Sequence, residues 1–258
     1  RCFSNPDVLR LTAEWTARQF DAQPELRFAS LSANDGPFWC DCRVCKALGR
    51  TRSHQALAFA NKVAAANKTK YPDRGYLMYA YMHTLDPPSG MKADPAVVPV
   101  IAPLWQCRIH PISSNCPDCV YLRRVYQEWS KITNGRIAYH PYTTPGPFTF
   151  PGPLALAEKI RFVHDLGAMG FIRENQFTPK VNWAMLNWME TKLLWKANCD
   201  PAKLRRQFIE GHYGLAAADS IEKVYIAIEE GAAATVTGRK SSYHLGNGLH
   251  EWESGYEA

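Results

Sequence analysis

Apolar residues recur along this chain in two alternating rhythms: stretches with a period near 3.6 residues and, between them, short unbroken apolar runs bounded by turn formers. The first stretch opens on Ser4-Asn5-Pro6-Asp7. There Asn or Ser caps free amides, Pro fits the first turn and Asp suits the positive end of the helix dipole. Val8, Leu9, Leu11 and Trp15 continue it at helical spacing until Asp21-Ala22-Gln23-Pro24 stops it. The run 26–31 reads as a buried strand, closed by Asn34-Asp35-Gly36-Pro37. The same grammar repeats with a helix over 54–68, a strand over 76–83, an apolar run over 96–102, a helix over 120–131 and a strand over 136–142. A helix over 154–166 and a fifth strand over 167–175 complete the alternation. Helices alone follow, over 181–197, 201–212 and 216–231, with Gly214 as the cap that stops the second.

Three segments break the rhythm. Asp86-Pro87-Pro88-Ser89-Gly90 can continue neither strand nor helix, so the crossover 84–96 is predicted to be a loop. Pro99 interrupts the third apolar run and argues for a strand end or an irregularity there. Segment 143–153, rich in Pro, Gly and Phe, has the length of a substrate loop or an Ω-loop.

Regular strand–helix alternation predicts an α/β fold with a parallel sheet and helices outside, which right-handed crossovers curl toward a barrel. A closed (β/α)8 barrel has eight strands and five are legible here. The expected fold is thus a partial (β/α)8 TIM-barrel-like domain of about five units over 1–178, a helical extension over 179–234 and an irregular tail over 235–258. Because the chain starts at Arg1 rather than methionine, further units are expected upstream.

With 258 residues and 46% hydrophobic composition, the chain buries a sizeable core. Its net charge of +6 comes from Lys and Arg scattered among acids, without a basic block longer than two residues, which argues against nucleic acid as a partner. No apolar run approaches the ~18 residues that span a bilayer. The eight cysteines suit an oxidising compartment, yet a chain this long does not need disulfides as its main support.

The candidate chemistry lies at the carboxyl ends of the predicted strands, where the loops of parallel α/β folds converge on a ligand crevice. Asp35 follows the first strand and Glu174 the fifth. Two carboxylates facing one cavity suffice for glycosidic cleavage: one protonates the leaving oxygen, and the other attacks, activates water or steadies a cation. Helix capping or ion pairing is the alternative for each. Trp39, Tyr81, His83, Trp105, His110, His140, Tyr142 and Trp183 gather near the same ends, with Asn34 and Asn175 beside the two acids. Flat rings stack on sugar faces while His, Asn and Tyr supply directional hydrogen bonds; core filling is the alternative for any one ring. Cys40-x-Cys42-x2-Cys45 and Cys107-x2-His110-x5-Cys116-x2-Cys119 have spacings that fit either disulfides or a structural zinc, the second set having the better ligand spacing.

Asn34-Asp35-Gly36, Cys40-x-Cys42-x2-Cys45-Lys46-Ala47-Leu48, Phe59-Ala60-Asn61, Tyr71-Pro72-Asp73, Ala80-Tyr81, Pro87-Pro88, Leu193-Leu194-Trp195, Asp200 and Tyr213-Gly214 together resemble the bacterial family catalogued as domain of unknown function 4838. The resemblance runs from about Asn5 to Gly214, and its most specific part is the cysteine motif beside Asn-Asp-Gly. It implies a glycoside-hydrolase-like barrel related to glycoside hydrolase family 163, the endo-β-N-acetylglucosaminidases of complex N-glycans. It further implies a secreted or envelope protein, a glycan or glycoprotein substrate, and Asp35 as an active-site acid with Asn34 beside it; hydrolysis of this kind is expected to need no organic cofactor. A non-catalytic carbohydrate-binding or degenerate barrel and a zinc-stapled interaction module are the competing expectations.

Overall fold

The computed structural model describes residues 2–33, 39–104, 106–107, 109–141, 152–173 and 183–235. Helix α1 spans Pro6–Ala22 and starts as its sequence dictates, with Asn5 Oδ1 accepting the amides of Asp7 (2.8 Å) and Val8 (3.4 Å). Strand β1 (Phe28–Ser30), a short helix α2 (Arg43–Ala47), α3 (Arg52–Asn67) and β2 (Gly75–Tyr81) follow. After them come β3 (Val97–Ala102), α4 (Pro117–Thr133), β4 (Ile137–Tyr139), α5 (Pro153–Asp165) and β5 (Ala168–Phe171). Helices α6 (Trp183–Trp195), α7 (Pro201–Tyr213) and α8 (Leu215–Thr235) close the described chain. None of these helices is long and apolar enough to cross a membrane.

The fold is α/β, with five strands pairing in parallel in the order β1-β2-β3-β4-β5. Each crossover steps one place in the same direction, which is the winding of a barrel wall; a doubly wound sheet reverses direction midway. The described residues of Arg1–Leu104, Val125–Pro141 and Leu166–Arg173 form one compact unit that holds the whole sheet. Those of Trp105–Arg124, Tyr142–Asp165 and Glu174–Ala258 form a second.

Pro99 does not end its strand, contrary to the expectation. It sits inside β3 opposite Met78 of β2. In a parallel strand, alternate residues bond to opposite neighbours, and Ile101 O takes the His140 amide on the β4 side. Pro99, two residues earlier, therefore turns its missing donor toward β4, whose pairing begins only at Val100. No ladder bond is lost.

Alternation sorts the sheet into two faces. Tyr76, Met78 and Ala80 of β2, Ile101 of β3, and Ile137 and Tyr139 of β4 are buried on one face. The helices supply Leu57, Phe59 and Val63 of α3 and Tyr126 and Trp129 of α4 to the same core. On the other face Val98, Val100 and Ala138 are buried, with Phe28, Leu77, Tyr79 and Ile172 packed half-buried against them. Strands apolar on both faces are what a barrel wall requires.

Between β2 and β3 the crossover carries only a 3-10 turn, Met82–Thr84, and otherwise runs as loop, as Asp86-Pro87-Pro88 predicts. Its backbone groups are satisfied by side chains instead of a helix. From α3, Ser53 donates to Asp86 O, His54 Nε2 to Ser89 O (3.0 Å) and Asn61 Nδ2 to Lys92 O (2.9 Å), while Asn61 Oδ1 accepts the Asp94 amide (2.8 Å). From α4, the fully buried Trp129 donates Nε1–H to Leu85 O at 2.7 Å. At the opposite, amino edge, the turns into β4 and β5 meet through Gly135 and Gly167. Gly167 has φ +92°, and a Cβ there would lie 2.7 Å from Gly135 O.

In the second unit, Leu156 and Ile160 of α5, Met185, Met189 and Leu193 of α6, Ile209 of α7 and Tyr225 of α8 form a continuous apolar cluster. Gly214 closes α7 at φ +82°, ψ +158°, a conformation reserved for glycine but not the left-handed helical one. Arg205, buried on α7, bridges Glu222 (3.4 Å) and Glu229 (3.1 Å) of α8.

Candidate functional site

The carboxyl edge of the sheet is where the second face changes character. Phe28, Leu77 and Val98 line its lower part, with Ser30 level with Leu77 at the end of the shorter β1, whereas Tyr79, Tyr81 and His140 stand farther toward the carboxyl ends. Ser30 Oγ donates to Ser32 Oγ at 3.2 Å. Tyr79 Oη lies 3.1 Å from His140 Nδ1, and their rings meet edge-on at 5.5 Å, so the hydroxyl and the imidazole join β2 to the end of β4 across the intervening β3. His140 is 3% exposed.

Directly after Tyr81 the backbone turns through Met82 at φ +46°, a left-handed conformation that costs a residue with a Cβ about 1–2 kcal/mol. Thr84 holds this turn: its Oγ1 accepts the Tyr81 amide (3.0 Å) and lies within hydrogen-bonding distance of Tyr79 O and Tyr81 O. The turn leaves His83 exposed and Tyr81 half-buried at the strand end.

Of the residues the sequence points to, Tyr81, His83 and His140 stand at this edge. Trp39 is half-buried against Phe3 (ring centroids 5.6 Å apart), with the Arg52 guanidinium 5.7 Å from its ring. Trp183 opens α6 in the second unit. Asn34, Asp35, Trp105, Tyr142, Glu174 and Asn175 lie outside the described residues. Tyr79 escaped the sequence reading, although the alternation of Leu77, Tyr79 and Tyr81 puts it on the same face as Tyr81.

A cleft of about 500 Å³ opens at the other end of the strands, lined by Arg27, Lys68, Asp73, Arg74, Asp94 and Arg136 among others. It lies at the amino edge, which in parallel α/β folds carries stability and seldom chemistry.

The cysteines form two groups. Sγ of Cys2 lies 3.6 Å from Sγ of Cys45 and 4.0 Å from Sγ of Cys42, and the four sulfurs of Cys2, Cys40, Cys42 and Cys45 all lie within 4.8 Å of one another. The Cys45 amide on its sulfur, with the Ser4 hydroxyl next, lowers the Cys42 thiol to about 6. Cys2 was invisible as a member of this group from spacing, because it stands far upstream of the other three.

Sγ of Cys107, a ring nitrogen of His110 and Sγ of Cys116 likewise lie within 4.8 Å of one another. His110 Nδ1 is 3.2 Å from Cys107 Sγ, so this imidazole is engaged with the cysteines of the second unit. The Cys119 thiol, with the amides of His110 and Ile109, lowers the Cys107 thiol to about 4, while Cys119 itself is raised by Cys107 and by burial. None of the eight cysteines is joined to another by a disulfide.

Neither the curated proteins nor the solved structures contain a match to this chain. A family model described as Domain of unknown function (DUF4838) matches residues 1–226. Spanning most of the chain, including every strand of the sheet and both cysteine groups, this match makes the protein a member of the DUF4838 family.

Proposed function

We propose that the protein is a glycoside hydrolase that cleaves a glycan at the carboxyl edge of its parallel sheet, in the manner of an endo-β-N-acetylglucosaminidase and without an organic cofactor. The observation that carries this reading is the passage from apolar to polar side chains along one sheet face, ending in Tyr79, Tyr81 and His140. A saccharide needs flat rings beside directional hydrogen-bonding groups, and this edge offers both.

On this reading Asp35, four residues beyond Leu31, and Glu174, three beyond Phe171, supply the acid pair. They follow the two outermost strands, which four steps of about 4.8 Å would hold roughly 19 Å apart in a flat sheet. Two carboxyl groups that cut a glycosidic bond directly stand about 5 to 9.5 Å apart, and two that serve one sugar ring must likewise be near each other, so the proposal requires the wall to curve. With an N-acetylated sugar, the acetamido oxygen attacks the anomeric carbon as the glycosidic C–O bond breaks, one acid polarising the acetamido group and the other protonating the leaving oxygen; water then opens the cyclic intermediate at the anomeric carbon. On this reading the protein works outside the cytoplasm, where glycoproteins are met.

The test is incubation with an N-glycoprotein and detection of released oligosaccharide by mass spectrometry, with Asp35→Ala and Glu174→Gln alongside. Release that falls about 100-fold or more in both variants supports the pair. Glycan that binds but is never cut by the wild type refutes hydrolysis and leaves a carbohydrate-binding barrel.

A further inference from the structure

We propose that Cys2, Cys40, Cys42 and Cys45 are the four ligands of a structural zinc ion that ties the amino-terminal segment to the chain between β1 and α3. Four thiolates about 2.3 Å from one tetrahedral zinc stand roughly 3.8 Å from each other. The 3.6 Å and 4.0 Å separations from Cys2 to Cys45 and Cys42 bracket that value. Both are nearly twice the roughly 2.05 Å of a disulfide, and a disulfide pairs two sulfurs whereas four converge here.

The surroundings favour a metal thiolate over a set of thiols. The Cys45 amide donates to Cys42 Sγ at 3.4 Å, which neutral thiols use poorly and thiolates well. Four thiolates around Zn²⁺ carry a net charge of −2, and Arg43, Lys46, Arg50 and Arg52 cluster in the sequence that follows. Phe3, 5% exposed and 4.9 Å from Phe59 by ring centroids, plugs the segment beside Cys2 onto α3. The ligand at position 2 is therefore presented by packing as well as by the metal.

A separate observation carries a second centre: ligand atoms of Cys107, His110 and Cys116 lie within 4.8 Å of one another, and Cys119, whose sulfur stands 3.9 Å from His110 O outside that set, is the fourth ligand on this proposal. The turn that places Cys45 on Cys42 recurs here: the His110 amide donates to Cys107 Sγ at 3.3 Å. Ligands paired at x2 spacing, as Cys107 with His110 and Cys116 with Cys119, are a common way to enclose one tetrahedral ion. Lys159, 2% exposed, donates to Gln106 Oε1 (2.9 Å) and Cys107 O (3.3 Å), putting an ammonium group beside a ligand set that would hold one net negative charge. Zinc fits both sets because thiolate and imidazole in tetrahedral array select it over hard cations.

Neither centre depends on the glycan reading, and the test does not use activity. Protein purified without added metal or chelator is analysed by plasma mass spectrometry, and about two zinc per chain are expected. Cys2→Ser and His110→Ala are each expected to retain about one zinc, and Cys199→Ser, which lies in neither group, about two. Should the ligand variants fail to fold, the wild type still decides: anomalous diffraction at the zinc edge is expected to peak inside each ligand set. After denaturation without reductant, all eight thiols are expected to titrate. Wild-type protein with less than about 0.2 zinc per chain, iron in place of zinc, or half or fewer of its thiols titratable would overturn the proposal.

Discussion

Replacing Trp129 by Phe keeps a ring in the sheet-facing row of α4 and removes one donor. That donor serves Leu85 O at 2.7 Å, and Leu85 is 6% exposed, so water does not readily replace it. An orphaned buried carbonyl costs about 1–3 kcal/mol. The smaller ring forfeits about 1 kcal/mol of buried apolar area. The sum, about 2–4 kcal/mol, is a large part of the ~5–15 kcal/mol by which domains are stable. Urea denaturation followed by circular dichroism should show a midpoint lowered by about 1–2 M at unchanged slope. Amide exchange across 85–94 should quicken more than exchange in β3, because that loop has no helix of its own. A midpoint within about 0.3 M of wild type, or uniform quickening, would refute the assignment of Trp129 as the anchor of the helix-free crossover.

Two further outcomes follow from the same structure. Arg205→Met leaves Glu229 buried without its guanidinium and should cost about 3–5 kcal/mol at pH 7. Burial already raises the Glu229 carboxyl, against Arg205 and the Leu154 amide, so its folded form holds its proton more tightly than the unfolded chain does. Stability from such a group is present below the ordinary value of 4.5 and is lost as pH rises through the raised one. The variant's deficit should therefore shrink toward pH 4.5 in thermal melts, and a deficit independent of pH would count against this cause. Gly167→Ala should lose about 2–4 kcal/mol, from a positive φ and from a Cβ placed 2.7 Å from Gly135 O, and calorimetry showing no loss would contradict that close approach.

Much of the fold was legible because its strands are apolar on both faces and its helices on one. Asn5 and Pro6 announced α1, and Asp86-Pro87-Pro88 announced a crossover without a helix. What stayed hidden depended on the third dimension. Helix α2 is too short for periodicity and lies inside a motif read for its cysteines. Pro99 looks like a strand end in the sequence because pattern cannot tell which neighbour a strand residue faces. Cys2 joins Cys40, Cys42 and Cys45 only because Phe3 folds its segment onto α3. The carboxyl-edge polar groups were legible in part: Tyr81, His83 and His140 by strand position, Tyr79 only once the register was known. Asp35 and Glu174 rest on their places after β1 and β5.

Hydrogen exchange with and without a chitooligosaccharide or a released N-glycan tests most directly whether the carboxyl edge is the binding face. Protection concentrated at 79–85 and 138–141 is predicted. Protection at 68–76 and 94–96, around the amino-edge cleft, with none at the carboxyl edge would contradict it.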